Sequence, residues 1–223
     1  TSDGWRLERP SVLLLLEKLR KAGKPLGEYV NGRFYRGIVT GLNEAFVVDR
    51  ATRDRLIAEH PSSAELLKPL LRGRDIKRWL MEPQDLWLIF TRRGVDIDKY
   101  PAIKKYLEQY KKLLMPGVEG GRKPGSYEWY EIQDNIAYWE EFEQPKIVWG
   151  NLAKQPQFSF VEAGYYVNAP ANIIVSNSGY LLGILNSKVT HYLVLQSAAE
   201  RQGGFVEFKP MYISPLAIPE QPA

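Results

Sequence analysis

Two histidines, His60 and His191, and no cysteine leave this 223-residue chain few side chains for nucleophilic or metal chemistry. Without cysteine there is no thiol nucleophile, thiolate metal site or disulfide, and a reducing, cytoplasmic setting is expected. His60 precedes Pro61 at an expected helix end and His191 falls inside an expected helix. Histidines in such places are more often surface or packing residues than metal ligands or catalysts. A metal-dependent nuclease would need [DE]-x-K so that a carboxylate and a lysine converge on a metal and a phosphate. Asp75-Ile76-Lys77 and Glu207-Phe208-Lys209 match, but 26 acids among 223 residues, together with the lysines, produce about two such tripeptides by chance. Gly120-Gly121-Arg122-Lys123-Pro124-Gly125-Ser126 has glycines and a lysine without the G-x-x-x-x-G-K-[ST] spacing of a phosphate loop. Asn168-Ala169-Pro170-Ala171 is not the Asn-Pro-Pro-aromatic string that holds an amino group for methyl transfer. The acids Glu128, Glu131, Asp134, Glu140, Glu141 and Glu143 fit a solvated face better than a set of general acids. The chain does not read as an enzyme by itself, and no metal-binding group stands out.

A binding signal remains. Arg72, Arg74, Lys77 and Arg78 place four cations within seven residues, beside Gly73 and Trp79. Arginine forks match phosphate oxygens and guanine edges, and glycine lets a backbone approach closely. A solvated turn partly neutralised by Asp75 is an equally good account of the spacing. Arg33, Arg36 and the polar stretch Thr40 to Glu44 would make a second patch; Asn43 there could pair with adenine or simply stabilise its own turn. The charge is lopsided: residues 1–125 carry 25 Lys and Arg against 16 Asp and Glu, residues 126–223 carry 5 against 10. A basic face for a polyanion on a less basic body is one reading of that asymmetry.

The elements that must position these residues follow from periodicity. At 44% hydrophobic and 25% charged the composition is that of a folded globular protein. The longest aliphatic run, Val12 to Leu16, is far shorter than a membrane span, so no membrane association is expected. Pro10-Ser11 and Gly23 bracket a helix over 12–22, whose leucines at 13, 14, 15, 16 and 19 cover more than one face and call for a partner. Phe34 to Val39 and Ala45 to Val48 read as a hairpin around Thr40–Glu44. Helices are expected from Asp49 to about Glu59 and, after a Ser62-x-x-Glu65 capping box, over Leu66–Leu71. A strand over 86–90, a helix from Asp98 to about Leu114, a mobile loop from Pro116 to Ser126 and strands over 146–152, 158–161, 165–167 and 172–176 follow. A helix over 180–199 and a final edge strand in Met211–Pro219 complete a mixed α/β fold, with a twisted, largely antiparallel or mixed sheet flanked by helices. The 116–126 loop is the best internal boundary by composition.

Five blocks in order resemble one family. Phe34-Tyr35-Arg36-Gly37-Ile38-Val39-Thr40-Gly41-Leu42-Asn43-Glu44-Ala45-Phe46 is similar to the Y-R-G-I-x-T-G-L-N-E-A-F signature of the TaqI-like specificity domain, the target recognition domain of type IIG restriction-modification enzymes and related adenine methyltransferases. Leu67 through Trp79 resembles its K-P-x-L-R-G-R-D-I-x-R-aromatic block, and Tyr138 through Val148 its Y-x-x-F-x-x-P-K-I block. Tyr180 through Ser187 and Pro215 through Pro219 resemble its L-L-x-I-L-N-S and L-x-I-P ends.

The resemblance implies a domain that reads double-stranded DNA for an attached adenine-N6 methyltransferase, often with a nuclease upstream. Residues 1–28 would be a connector helix to that catalytic region and residues 29–223 the recognition domain. S-adenosylmethionine and Mg2+ would belong to the other domains, none to this chain. Arg36, Arg72, Arg74, Lys77 and Arg78 are expected on the DNA backbone, and Asn43, Arg122, Lys123, Lys154 and Gln155 on the bases. The competing class is a protein-interaction subunit that docks a methyltransferase without reading bases.

Overall fold

The computed structural model describes residues 9–221. They form two compact units: one from the described residues up to Phe34, Asn151–Pro156 and those from Ser178 on, the other from Tyr35–Gly150 and Gln157–Asn177. The first unit opens with α1 (Pro10–Arg20), β1 (Lys24–Pro25) and α2 (Leu26–Tyr29). The chain then enters the second unit within β2 (Phe34–Arg36), followed by α3 (Asn43–Phe46), β3 (Val47–Asp49), α4 (Arg50–Glu59), α5 (Ser63–Leu66), β4 (Leu67–Leu71), β5 (Leu86–Ile89), α6 (Pro101–Glu108), α7 (Lys111–Leu114) and β6 (Lys146–Gly150). It dips into the first unit for β7 (Leu152–Ala153) and returns to the second for β8 (Phe158–Val161), β9 (Tyr166–Val167) and β10 (Ala171–Ile174). It ends in the first with α8 (Gly179–Leu185), α9 (Lys188–Leu195), β11 (Glu200–Arg201), β12 (Phe205–Glu207), α10 (Pro210–Ile213) and β13 (Ala217–Ile218).

The second unit carries two four-stranded sheets, ordered β2-β10-β6-β8 and β3-β5-β4-β9. Strand β6 pairs antiparallel with β10 and β8, and β5 with β3 and β4, while β4 and β9 run parallel. The first unit holds the sheets β11-β12-β7 and β1-β13, both antiparallel. The expected mixed α/β class is what the chain adopts. Among the described residues no helix is long and apolar enough to cross a membrane.

The second unit's core collects Phe46, Leu70, Leu71, Leu88, Ile89, Ile103, Leu107, Phe142, Val148 and Ile173, all buried. Tyr166 lies fully covered between Phe90, at 4.8 Å, and Phe142, stacked at 5.1 Å. Burying side chains of this size is worth roughly 1.5–3 kcal/mol each, which is what holds several short strands together. Lys146 is also fully buried, its ammonium donating to the carbonyls of Phe142 and Gln144 at 2.8 Å and of Glu162 at 3.1 Å. Burial lowers its pKa to about 8, against a smaller pull from Glu143.

Several local readings are corrected. The 34–48 hairpin does not form: β2 joins β10, β3 joins β5, and Asn43–Phe46 between them is a helical turn. Gly41 adopts φ +84, and Ala45 and Phe46 turn inward to complete burial, so the long-range core overrides the local alternation. Residues Leu67–Leu71 form strand β4 rather than a helix. Pro69 would interrupt a helix over 66–71, Ser62 makes no capping bond to α5, and its hydroxyl donates to the Lys99 carbonyl. The helix over 180–199 breaks at Asn186, where Ser187 accepts from the Thr190 amide and restarts it. The 98–114 helix divides at Gln109-Tyr110, and Met211 lies in a helical turn, leaving only Ala217–Ile218 as strand. In α1 it is Pro10 that occupies the first turn, with Arg9 and not Ser11 at the cap position. The 116–126 loop lies inside the second unit, and the division of the chain falls near 34, 150 and 177.

Candidate nucleic-acid interface

The cationic segment 72–82 connects β4 to β5 in the second unit, and its own side chains stiffen it. Arg72 forks onto Asp75, with Nε at 3.0 Å from Oδ2 and Nη2 at 2.9 Å from Oδ1. Its backbone N–H also donates to Asp75 Oδ2 at 2.9 Å, closing the short 3-10 turn Gly73–Asp75. Asp75 is buried, so this bidentate pair is part of the scaffold and commits two of the five Arg72 side-chain donors. Beyond it Ile76 pairs with Met81 across an antiparallel bridge, and the Lys77 N–H donates to the Leu80 carbonyl at 2.9 Å. Arg78 and Trp79 are thus the tip of a tight turn. Trp79 has φ +76, a left-handed conformation that costs a residue with a Cβ about 1–2 kcal/mol. Its N–H donates to the Phe158 carbonyl of β8 at 3.0 Å, which ties the tip to the sheet.

Three cations face outward from this frame. Arg74 is exposed, with no ion pair among the described residues. Lys77 donates to the Arg74 carbonyl at 2.9 Å and stands 3.7 Å from Glu82, and Arg78 lies over the Trp79 ring at 5.3 Å from its centre. Arg74 and Lys77 keep donors that an anionic partner could use.

A second cluster gathers around residues 36–43. Arg36 pairs with Asp134 at 2.8 Å and is 58% exposed. The Asn43 amide oxygen accepts from the Thr40 hydroxyl at 2.8 Å, the turn-stabilising role, although the side chain remains exposed. This turn is stitched to residues 133–134 by Gln133 N–H to the Thr40 carbonyl and Asp134 N–H to the Val39 carbonyl, both 3.0 Å.

Arg122 is where geometry departs furthest from the sequence expectation. It is 5% exposed. Nε donates to the Leu114 carbonyl at 2.9 Å, Nη1 to Thr40 at 3.1 Å and Glu131 at 2.7 Å, and Nη2 to Trp129 at 2.8 Å and Glu128 at 3.4 Å. Every donor is spent on the fold and none faces outward, because the loop wraps around the guanidinium. Burial lowers its pKa to about 10, which leaves it cationic at neutral pH. Gly41 is needed beside it: a Cβ there would come within 2.7 Å of the Arg122 side chain, and its φ of +84 suits only glycine. Lys123 next door is exposed, its carbonyl accepting from the Tyr127 hydroxyl. Lys154, over the Phe205 ring at 5.5 Å, and Gln155 are exposed in the first unit.

Sequence reading missed Arg93, which donates to the carbonyls of Ile132 at 2.5 Å and Gln133 at 2.8 Å, and Arg92, which lies over Trp139 at 4.9 Å. The adjacent arginines after a strand were the only available signal. The two [DE]-x-K tripeptides have their carboxylates occupied, Asp75 by Arg72 and Glu207 by Arg201 and Lys209 at 2.6 and 2.8 Å. Among the described residues no group of three or more His, Cys, Asp or Glu could hold a metal ion.

A family model places this mixed α/β domain in the class of specificity domains. The chain belongs to the TaqI-like C-terminal specificity domain family, whose model matches residues 68–218, from β4 through β13. Type II methyltransferase M.PaeR7I of Pseudomonas aeruginosa is 23% identical over 98% of this chain, and the chain spans 37% of that protein's length. The type IIL restriction-modification enzyme MmeI, solved in complex with DNA, shares the fold at a TM-score of 0.57 and 12% identity, over 81% of this chain and 24% of that one. The type IIG restriction endonuclease BpuSI aligns at a TM-score of 0.49 and 14% identity, over 93% of this chain and 26% of its own.

Proposed function

We propose that this chain reads a short sequence in double-stranded DNA and so directs an adenine-N6 methyltransferase, and in some parents a nuclease, carried by other regions of the same protein. The observation that carries the reading is the loop at 72–80, inside the family match, where Arg72 braces the buried Asp75 and Arg74, Lys77 and Arg78 line the outer turn. Those three, with Arg36, contact phosphates and set register; Asn43, Lys123, Lys154 and Gln155 are the base-reading candidates. Flipping and methylation of the target adenine, with S-adenosylmethionine and any Mg2+, take place outside this chain. The parent is cytoplasmic, where its DNA is. On α1, Leu13, Leu14 and Leu15 are exposed while Leu16 is buried, which supports a connector helix that packs against the catalytic region.

Binding of a labelled duplex library across a salt series tests the reading. Several cation–phosphate contacts predict a fall of orders of magnitude in affinity between low and moderate salt. Weak binding with no salt dependence would refute it and favour the protein-interaction alternative.

A further inference from the structure

We propose that Trp79, with Leu80 beside it, is an apolar wedge that stacks on or inserts between base pairs of the bound duplex; this rests on the DNA-reading function above. Trp79 is 48% and Leu80 52% exposed, side by side at the end of the cationic turn. The second unit elsewhere covers its tryptophans: Trp149 is buried, and Trp87, Trp129 and Trp139 pack against the core. Trp79 also sits at a position of the turn where glycine would be unstrained, at φ +76. A large ring on a backbone conformation that disfavours it, and left half exposed, contributes little to the fold that a small residue would not. Its backbone is fixed, because the Trp79 N–H is bound to the Phe158 carbonyl at 3.0 Å and the Lys77–Leu80 bond closes the turn behind it.

The surroundings specify the partner. Arg74, Lys77 and Arg78 precede the ring by one to five residues, so a polyanion drawn to them meets the indole and the leucine. The Arg78 guanidinium carbon lies 5.3 Å from the ring centre, within cation–π reach. Aromatic faces stack on any base, and apolar side chains inserted at a base step unstack it and bend the duplex. Such a contact supplies affinity without neutralising a phosphate, and it is sensitive to how easily a step opens.

The experiment compares Trp79→Ala, Trp79→Gly, Trp79→Phe and Arg74→Ala in the 223-residue chain, binding fluorescein-labelled duplexes with a randomised centre over a salt series. Trp79→Ala and Trp79→Gly should bind roughly 5- to 150-fold more weakly with an unchanged salt slope. Trp79→Phe should retain most of the affinity, and Arg74→Ala should lower the slope by about one. Trp79→Gly should melt no lower than the unchanged chain, since glycine accepts the turn, which separates lost contact from lost fold. Quenching of tryptophan emission on adding duplex should be much reduced in Trp79→Phe. Unchanged affinity in Trp79→Ala and Trp79→Gly, beside a reduced slope in Arg74→Ala, would overturn the wedge and leave DNA reading standing. No salt-dependent duplex binding by the unchanged chain would overturn both.

Discussion

Replacing Arg122 by alanine strips donors from five backbone carbonyls at once, those of Thr40, Leu114, Glu128, Trp129 and Glu131. Each buried acceptor left unpaired costs about 1–3 kcal/mol. The Thr40 carbonyl keeps the Gln133 N–H and the Glu128 carbonyl keeps the Glu131 N–H, so those of Leu114, Trp129 and Glu131 are the ones left unpaired, each near the lower end because water can enter the space vacated. The guanidinium also lies 4.6 Å from the centre of the Tyr127 ring and 5.5 Å from that of Phe46, contacts worth about 0.5–1 kcal/mol each. The side chain of Glu131, 5% exposed and 3.7 Å from Arg93, loses a second nearby positive charge. Together these give a destabilisation of about 4–6 kcal/mol, a large share of the stability of an ordinary domain. Urea unfolding followed by tryptophan emission should show the midpoint fall by roughly 1–2 M. Arg122→Lys should recover part of the loss, because an ammonium supplies three donors without the planar fork. A variant with an unchanged midpoint but weakened duplex binding would refute this account and return Arg122 to the DNA surface.

Arg72→Ala should destabilise by about 3 kcal/mol by leaving the buried Asp75 carboxylate with one backbone donor, while Arg74→Ala leaves the melting temperature alone and changes only the salt slope; equal effects of the two on the slope would contradict the division between brace and contact. Lys146 binds its proton less tightly folded, at about 8, than unfolded, so its burial cost is fully present below pH 8 and is relieved as pH rises toward the unfolded value. The stability of the unchanged chain relative to Lys146→Met should therefore rise by up to about 3 kcal/mol between neutral pH and pH ~10, and a flat difference across that window would show that the carbonyl cage holds the ammonium charged. Asp49→Ala removes the carboxylate that accepts from the Thr52 amide at 2.8 Å at the start of α4 and should cost about 1 kcal/mol in thermal unfolding; no loss would mean that water replaces the cap.

The family was legible in the sequence because its blocks are local strings, and Leu67 through Trp79 and Tyr180 through Ser187 can be matched without knowing what they touch. The mixed α/β class was legible too, and so were elements whose signals are local: α4, read from Asp49 to about Glu59, and β5 as an apolar run. The failures share one cause. Phe34–Val39 and Ala45–Val48 alternate as a hairpin should, but their partners, β10 and β5, lie more than a hundred and about forty residues away, and pairing over such distances leaves no local trace. Leu67–Leu71 has leucine spacing that suits a helix equally well, and only burial between β5 and β9 makes it a strand. At the candidate site, composition located the cationic loop, yet it counted Arg72, Arg74, Lys77, Arg78 and Arg122 alike as positive charges. Tertiary structure decided their roles: the buried Asp75 carboxylate claims Arg72 and desolvation forces Arg122 to find acceptors inside the protein, whereas Arg74, Lys77 and Arg78 lie at the loop surface. The same packing uncovers Trp79, because the turn that points it outward is closed by a strand some eighty residues further along the chain.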